Sequence, residues 1–137
     1  MRKEAALPLA PAVNDQTYGY WEGTKIGELR LQTCGQCGSQ WFPEAPVCPK
    51  CLSPDVEWKA VSGHGRLWSW IVMHQKAFPS YRDEGPYLCA FIQLDEGPLM
   101  ISTLVDPPAE LQCDLPVRVE FVDLDEDRAA PVFRVEP

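Results

Sequence analysis

The chain has 137 residues, 14 prolines and a formal net charge of −8, with 45% hydrophobic residues. That length holds one domain, or a small module fused to one compact domain, and the prolines speak for turns and short strands against a helical bundle. The acidic balance and the lack of a basic stripe weigh against a phosphate-backbone reader, so nucleic acid is not an expected partner. No apolar run is long enough to span a membrane, and Met1-Arg2-Lys3-Glu4 lacks the apolar region of a signal peptide, so no membrane association is expected. Together with metal-spaced cysteines, this predicts the reducing cytoplasm.

In chain order, residues 1–14 with Pro8 and Pro11 read as an arm. Asn14 or Asp15 is placed to cap a short helix over 16–22. Tyr18, Tyr20 and Trp21 make it aromatic, either to fold back on the body or to anchor a partner. Residues 25–33, with Ile26, Leu29 and Leu31, lead into the densest signal of the chain.

That signal is Cys34-Gly35-Gln36-Cys37, ten residues, then Cys48-Pro49-Lys50-Cys51. Two Cys-x-x-Cys knuckles at this separation converge four thiolates on one tetrahedral ion. Gly35 and Gly38 are expected to supply backbone freedom, and Pro49 to stiffen the second knuckle. Zn²⁺ suits four thiolates and is left with no open position, so the predicted role is structural. A rubredoxin-like iron centre uses the same geometry. Two disulfides are the third reading, and they require an oxidising compartment.

Trp41 and Phe42 are expected to pack on the metal module, where core is scarce. From residue 56 the chain reads as β. A strand over 56–62 bends at Ser62-Gly63-His64-Gly65 and continues over 66–73, as one kinked strand that turns a barrel corner. Residues 74–86 form a long loop in which the apolar Phe78 and Tyr81 stand out. The nearly continuous apolar run 87–94 predicts a strand covered on both faces. A hairpin turn at 95–98, a strand over 99–105, a helical turn at 106–111, an alternating strand at 117–121, a solvated acidic tip at 123–127 and a final strand at 131–135 complete the chain. The predicted fold is mainly β: a short N-terminal helical segment, a rubredoxin-like zinc ribbon, then a five-stranded OB-fold barrel. The expected divisions are 1–30, 31–55 and 56–137.

The chain offers little for catalysis of its own. Its two histidines, His64 and His74, stand apart, and neither a nucleophile elbow nor a phosphate-cradling loop is present. Cys89 lies in an apolar strand and reads as an unreactive buried thiol, while Cys113 precedes Asp114. A Cys89–Cys113 disulfide is disfavoured by compartment. No catalytic residue is assigned.

An ordered set of words carries a resemblance: Tyr20-Trp21-Glu22-Gly23, the two knuckles with Phe42-Pro43 between them, Val61-Ser62-Gly63-His64-Gly65, Pro86-Tyr87, Leu94-Asp95-Glu96-Gly97-Pro98, and Leu115-Pro116-Val117 with Phe121. With these the chain resembles the acyl-CoA-associated "domain of unknown function thirty-five" family, from about Tyr18 to the end. Glu44-Ala45 stands where that family usually has proline-arginine, and Asp114 where it has glycine.

The resemblance implies an accessory subunit that is inactive alone and is a required part of a carbon–carbon lyase complex. The implied partner is a lipid-transfer-protein-like thiolase homologue, together acting as a retro-aldolase on a steroid side-chain acyl-CoA. Two such chains flanking an enzyme dimer would form a heterotetramer. A hot-dog-fold enoyl-CoA hydratase or a true thiolase is the alternative partner, and a rubredoxin-like electron carrier the alternative function. Trp21, Phe78, Tyr81 and Tyr87 are the candidate contacts to partner or substrate.

Overall fold

The computed structural model describes residues 11–74 and 86–137, and Phe78 and Tyr81 lie outside the described residues. Among the described residues no helix is long and apolar enough to cross a membrane.

Helix α1 spans Tyr18–Lys25, starting later than predicted, with Thr17 at its cap position. Asn14 instead builds the turn before it: its side-chain oxygen accepts the N–H groups of Gln16 and Thr17, and its carbonyl accepts that of Tyr18. Gly19 and Gly23 each weaken an isolated helix by about 1 kcal/mol relative to alanine. Tertiary contacts decide for glycine at both places. A Cβ on Gly19 would lie 2.2 Å from the Trp58 ring, and one on Gly23 would lie 2.8 Å from the Arg30 stem. On the opposite flank Trp21 is buried, and the buried Thr24 hydroxyl donates to the Trp21 carbonyl while accepting the Ala129 N–H.

Three strands form a small sheet in the order β2-β1-β3: β1 (Leu29–Cys34), β2 (Gln40–Trp41) and β3 (Val56–Val61). β3 is antiparallel to β1 from Leu29↔Val61 to Cys34↔Val56. The expectation of one kinked strand over 56–73 is thereby corrected. Both strands leave the knuckles side by side, so the nearest unpaired edge for residues 56–61 is β1. The chain then turns at Gly63, with φ +80°, and enters the second sheet.

That sheet has the order β6-β5-β4-β7-β8: β4 (His64–Met73), β5 (Tyr87–Leu94), β6 (Leu99–Ser102), β7 (Pro116–Asp125) and β8 (Arg128–Val135). β4 pairs with β5 through most of its length, with Trp68 as the extra residue of a bulge, and with β7 only over His64–Arg66. Bulges of this kind curl a sheet. After β6 the chain crosses to β8, where Leu104 and Phe133 form a parallel bridge; the Phe133 N–H donates to the Thr103 carbonyl and the Val105 N–H to the Phe133 carbonyl. This closes the sheet into the half-barrel of an OB-fold.

The barrel core contains Leu67, Ile92, Met100, Val117 and Phe133, and it is continuous with Leu29 and Leu31 of β1. Ribbon and barrel therefore share one core. Three further expectations are corrected. Residues 106–111 form bends, not a helical turn; Asp106 sits at φ +44° and its carboxylate pairs with Arg134 at 3.1 Å. β7 runs into the acidic tip as far as Asp125. There the Asp127 N–H, and then Arg128, hold the Asp125 carboxyl below the usual range. Among the described residues β5 is covered on one face only: Ala90, Ile92 and Leu94 are buried, while Tyr87 and Phe91 are exposed.

Candidate metal centre

The four sulfurs of Cys34, Cys37, Cys48 and Cys51 lie within 4.8 Å of one another. Cys34 and Cys51 are 3.5 Å apart, and Cys37 and Cys48 3.6 Å. A tetrahedral zinc with Zn–S bonds of about 2.3 Å has edges of roughly 3.8 Å, so these four residues are positioned to bind one metal ion.

The two knuckles are built alike, fourteen positions apart in the chain. The Gln36 and Cys37 N–H groups donate to Cys34 Sγ, as those of Lys50 and Cys51 donate to Cys48 Sγ. The Cys34 N–H donates to the Ser39 carbonyl and that of Cys48 to the Ser53 carbonyl. The Gly38 N–H returns to the Cys34 carbonyl and the Leu52 N–H to the Cys48 carbonyl. Gly38 and Leu52 are both left-handed, at φ +77° and +65°. Gly35 does not share that conformation; its role is close approach, since a Cβ there would meet the Asp55 carboxylate at 2.3 Å.

These donors favour thiolates. The Cys37 N–H, before other causes, holds Cys34 below its ordinary value. The Ser39 hydroxyl, then the Ser39 N–H, brings Cys37 down to about 6. Cys51 goes the other way. Although the Ser53 N–H lowers it, burial and the three neighbouring thiols push it up to about 12. Four anionic sulfurs this close require a compensating cation. Zn²⁺ fits the all-thiolate set and, with every position filled, is left no place for a substrate, so its role is structural.

The left-handed pair gives a test of opposite signs. No atom lies within 4 Å of a Cβ on Gly38, so Gly38→Ala is expected to cost about 1–2 kcal/mol through the backbone alone. Leu52→Gly relieves the same strain and is expected to stabilise by up to about 1 kcal/mol, less the flexibility glycine adds to the unfolded chain. Urea unfolding of both zinc-loaded variants measures this, and equal signs would refute the assignment.

Among the candidate contacts, Trp21 is buried at 9% exposure with the Arg128 guanidinium 5.0 Å over its ring, and Tyr87 is exposed at the start of β5. His64 faces Glu136 at 3.4 Å. Cys89, half-buried on the open face of β5, and the exposed Cys113 are both free thiols.

Residues that sequence reasoning passed over hold the ribbon together. The side-chain oxygen of the buried Gln32 accepts the Trp41 indole N–H at 2.8 Å and the Ala45 N–H at 2.6 Å. Ser53, also buried, accepts the Asp55 N–H through its hydroxyl. The repeat Cys-Gly-Gln-Cys-Gly-Ser and Cys-Pro-Lys-Cys-Leu-Ser is the signal in the chain that marks Ser39 and Ser53 as equivalent.

Comparison with known proteins agrees with this geometry. Residues 21–57 match the family described as "ChsH2, rubredoxin-like zinc ribbon domain", and residues 58–122 match "ChsH2, C-terminal OB-fold domain". A "Probable enoyl-CoA hydratase alpha subunit" of Thermomonospora curvata is 32% identical over 134 residues, 97% of this chain and 41% of that protein. The "3-oxo-4,17-pregnadiene-20-carboxyl-CoA hydratase alpha subunit" of Mycobacterium tuberculosis is 29% identical over 84% of this chain and 36% of its own length. The chain thus spans well under half of these two relatives. A "DUF35 domain-containing scaffold protein" of Pyrococcus furiosus is 33% identical over 68% of this chain and 72% of its own length. A chain of the solved "Ltp2-ChsH2(DUF35) aldolase" superposes with a TM-score of 0.79 at 31% identity, covering 91% of this chain and 98% of that one. On these matches the chain belongs to the DUF35 family of ChsH2-type zinc-ribbon and OB-fold proteins.

Proposed function

We propose that this chain is a non-catalytic accessory subunit of an acyl-CoA-processing complex, and that its partner is a thiolase-like, lipid-transfer-protein-like retro-aldolase acting on a steroid side-chain acyl-CoA. The observation that carries the docking role is the outer face of β4, β5 and β6. Trp68, Ile71, Phe91, Leu99 and Ile101 all stand exposed there, and Phe91 pairs directly with Ile101. The Trp68 and Phe91 rings stack at 6.1 Å. Neither β5 nor β6 carries a charged side chain, in a chain whose net charge is −8. A contiguous apolar face on an acidic protein is a surface that another chain covers.

This face suits docking better than the N-terminal aromatic segment, because Trp21 is folded into the body. Tyr87 opens β5 on the same face, and with Phe78 and Tyr81 it belongs to the candidate contacts. The likeness to the aldolase chain supports the choice of partner. On this reading two copies flank an enzyme dimer as a heterotetramer in the cytoplasm, where four thiols stay reduced for the metal. A hydratase partner is the second reading, favoured by the names of the hydratase alpha subunits.

Affinity capture of the full chain from its native lysate, followed by an aldol-cleavage assay of the complex and of each part, tests the proposal. The expected outcome is a stoichiometric thiolase-like partner and cleavage only by the pair. Recovery of a hydratase changes the reaction and keeps the role; recovery of the chain alone refutes the role. Phe91→Asp is expected to weaken the complex at least about thirtyfold, as loss of a hot-spot aromatic does, with zinc content and melting unchanged.

A further inference from the structure

A cavity of about 280 Å³ opens where α1 meets the ribbon, distant in sequence from the β4–β6 face and not used by the metal. Its lining includes the rings of Tyr20, Trp21, Trp41, Phe42 and Trp58, and among the described residues Glu44 is the one charged residue that lines it. Tyr20 lies at the centre of the group, with ring centroids 6.3 Å from Phe42 and 6.1 Å from Trp58.

The cavity is held in shape. The Gln32 side-chain oxygen binds the Trp41 indole N–H and the Ala45 N–H together, so one buried atom positions both an aromatic wall and the backbone that carries Glu44. Trp58 is seated against Gly19, where no side chain fits. Tyr20 is half-buried at the edge of the core, and among the described residues no hydrogen bond of its hydroxyl is formed. Burial, and then the charge of Glu44, push the Tyr20 phenol up, so it stays neutral and available as donor or acceptor.

The chemistry of the walls selects the occupant. Aromatic faces carry negative quadrupole density and attract cations, most strongly when these are weakly hydrated. The carboxylate repels anions and adds a countercharge. A divalent metal would need several oxygen ligands, and a single carboxylate does not provide them. A ligand with positive charge spread over an apolar stem meets every demand. Such a contact is already made among the described residues, by Arg128 over Trp21.

We propose that this pocket is a binding site for an organic ammonium cation, with Tyr20, Trp41, Phe42 and Trp58 as the cage and Glu44 as its counter-ion. A free quaternary amine and a lysine side chain of another protein present the same chemistry. The site stands independently of the partner enzyme.

Titration of the full, zinc-loaded chain with choline, with its uncharged carbon isostere 3,3-dimethylbutanol and with Nα-acetyl-lysine methylamide, followed by the indole N–H resonances, tests it. Choline or the lysine derivative is expected to bind at least about tenfold more tightly than the isostere. The Trp41 and Trp58 signals are expected to move while those of Trp68 and Trp70 stay. Glu44→Gln is expected to lower cation affinity about three- to tenfold and to leave the isostere unaffected; Glu44 is exposed, so folding is not at issue. Phe42→Leu, which keeps apolar bulk but removes a ring, is expected to reduce the preference for the cation over the isostere. Tighter binding of choline assigns a free amine, and tighter binding of the lysine derivative assigns a protein side chain. Equal binding of cation and isostere, indifference to Glu44→Gln, or no binding of either cation at about 10 mM overturns the proposal.

Discussion

Cys48→Ser is expected to release the metal and unfold the ribbon. Cys48 is fully buried, and its sulfur collects the N–H groups of Lys50 and Cys51 at 3.4 Å each. Serine is shorter and its neutral hydroxyl is a poor zinc ligand. Structural zinc contributes on the order of 10–16 kcal/mol, comparable with the whole stability of a domain at about 5–15 kcal/mol. The loss is expected to reach the barrel as well, because Leu29 and Leu31 on β1 pack in the same cluster as Leu67 and Phe133. Elemental analysis should fall from stoichiometric zinc to near zero, and near-ultraviolet circular dichroism should lose its aromatic signal in a single transition. Cys89→Ser, away from the centre, should keep both. A Cys48→Ser protein that retains its zinc would refute the four-thiolate assignment.

Phe133→Ala is expected to cost about 3–5 kcal/mol, the largest effect of any single truncation in the barrel. Phe133 has no exposed surface, and it stands where β8 meets the segment after β6 to close the sheet. Truncation there opens a cavity that residues fixed by ladders on both sides cannot fill by relaxing. The contrast is Ile101→Ala on the outer face of β6, 57% exposed, which should cost less than about 1 kcal/mol in the free chain. Urea midpoints at constant slope measure both. A Phe133→Ala cost under about 1 kcal/mol would mean that the closure contributes little to the barrel.

The metal centre was legible because all its ligands sit in one short stretch and the spacing itself encodes the geometry. The β character of the second half was legible for a related reason. Residues 117–121 alternate, and period-two alternation states which side chains share a face. The sequence was less informative where the outcome depended on a distant neighbour. Nothing local in residues 56–61 distinguishes the first half of a kinked barrel strand from an edge strand beside β1. The apolar run 87–94 states that both faces of β5 favour contact, but not that the described residues cover only one of them. The proline at 107 suggested a helical turn, yet the link between β6 and β7 is occupied by the crossing to β8 and the Asp106–Arg134 pair.

The same division holds for the aromatic residues. Tyr20, Trp41, Phe42 and Trp58 are visible in the chain as apolar bulk near the knuckles, but the sequence places only Trp41 and Phe42 on the metal module, leaves Tyr20 to fold back on the body or anchor a partner, and puts Trp58 in the strand over 56–62. Their arrangement around a cavity was not predictable, since it rests on contacts between residues far apart: Gly19 beneath Trp58, and Gln32 bound to Trp41 and Ala45 at once. By itself, then, the sequence determined the four-cysteine metal centre and the order of ribbon and barrel, because these follow from spacing and periodicity along the chain. Only the tertiary structure decided which sheet β3 joins, which face of β5 is exposed among the described residues, and that Glu44 lines the same cavity as the rings. Each of those depends on which distant backbone happens to lie alongside, and no local pattern carries that information.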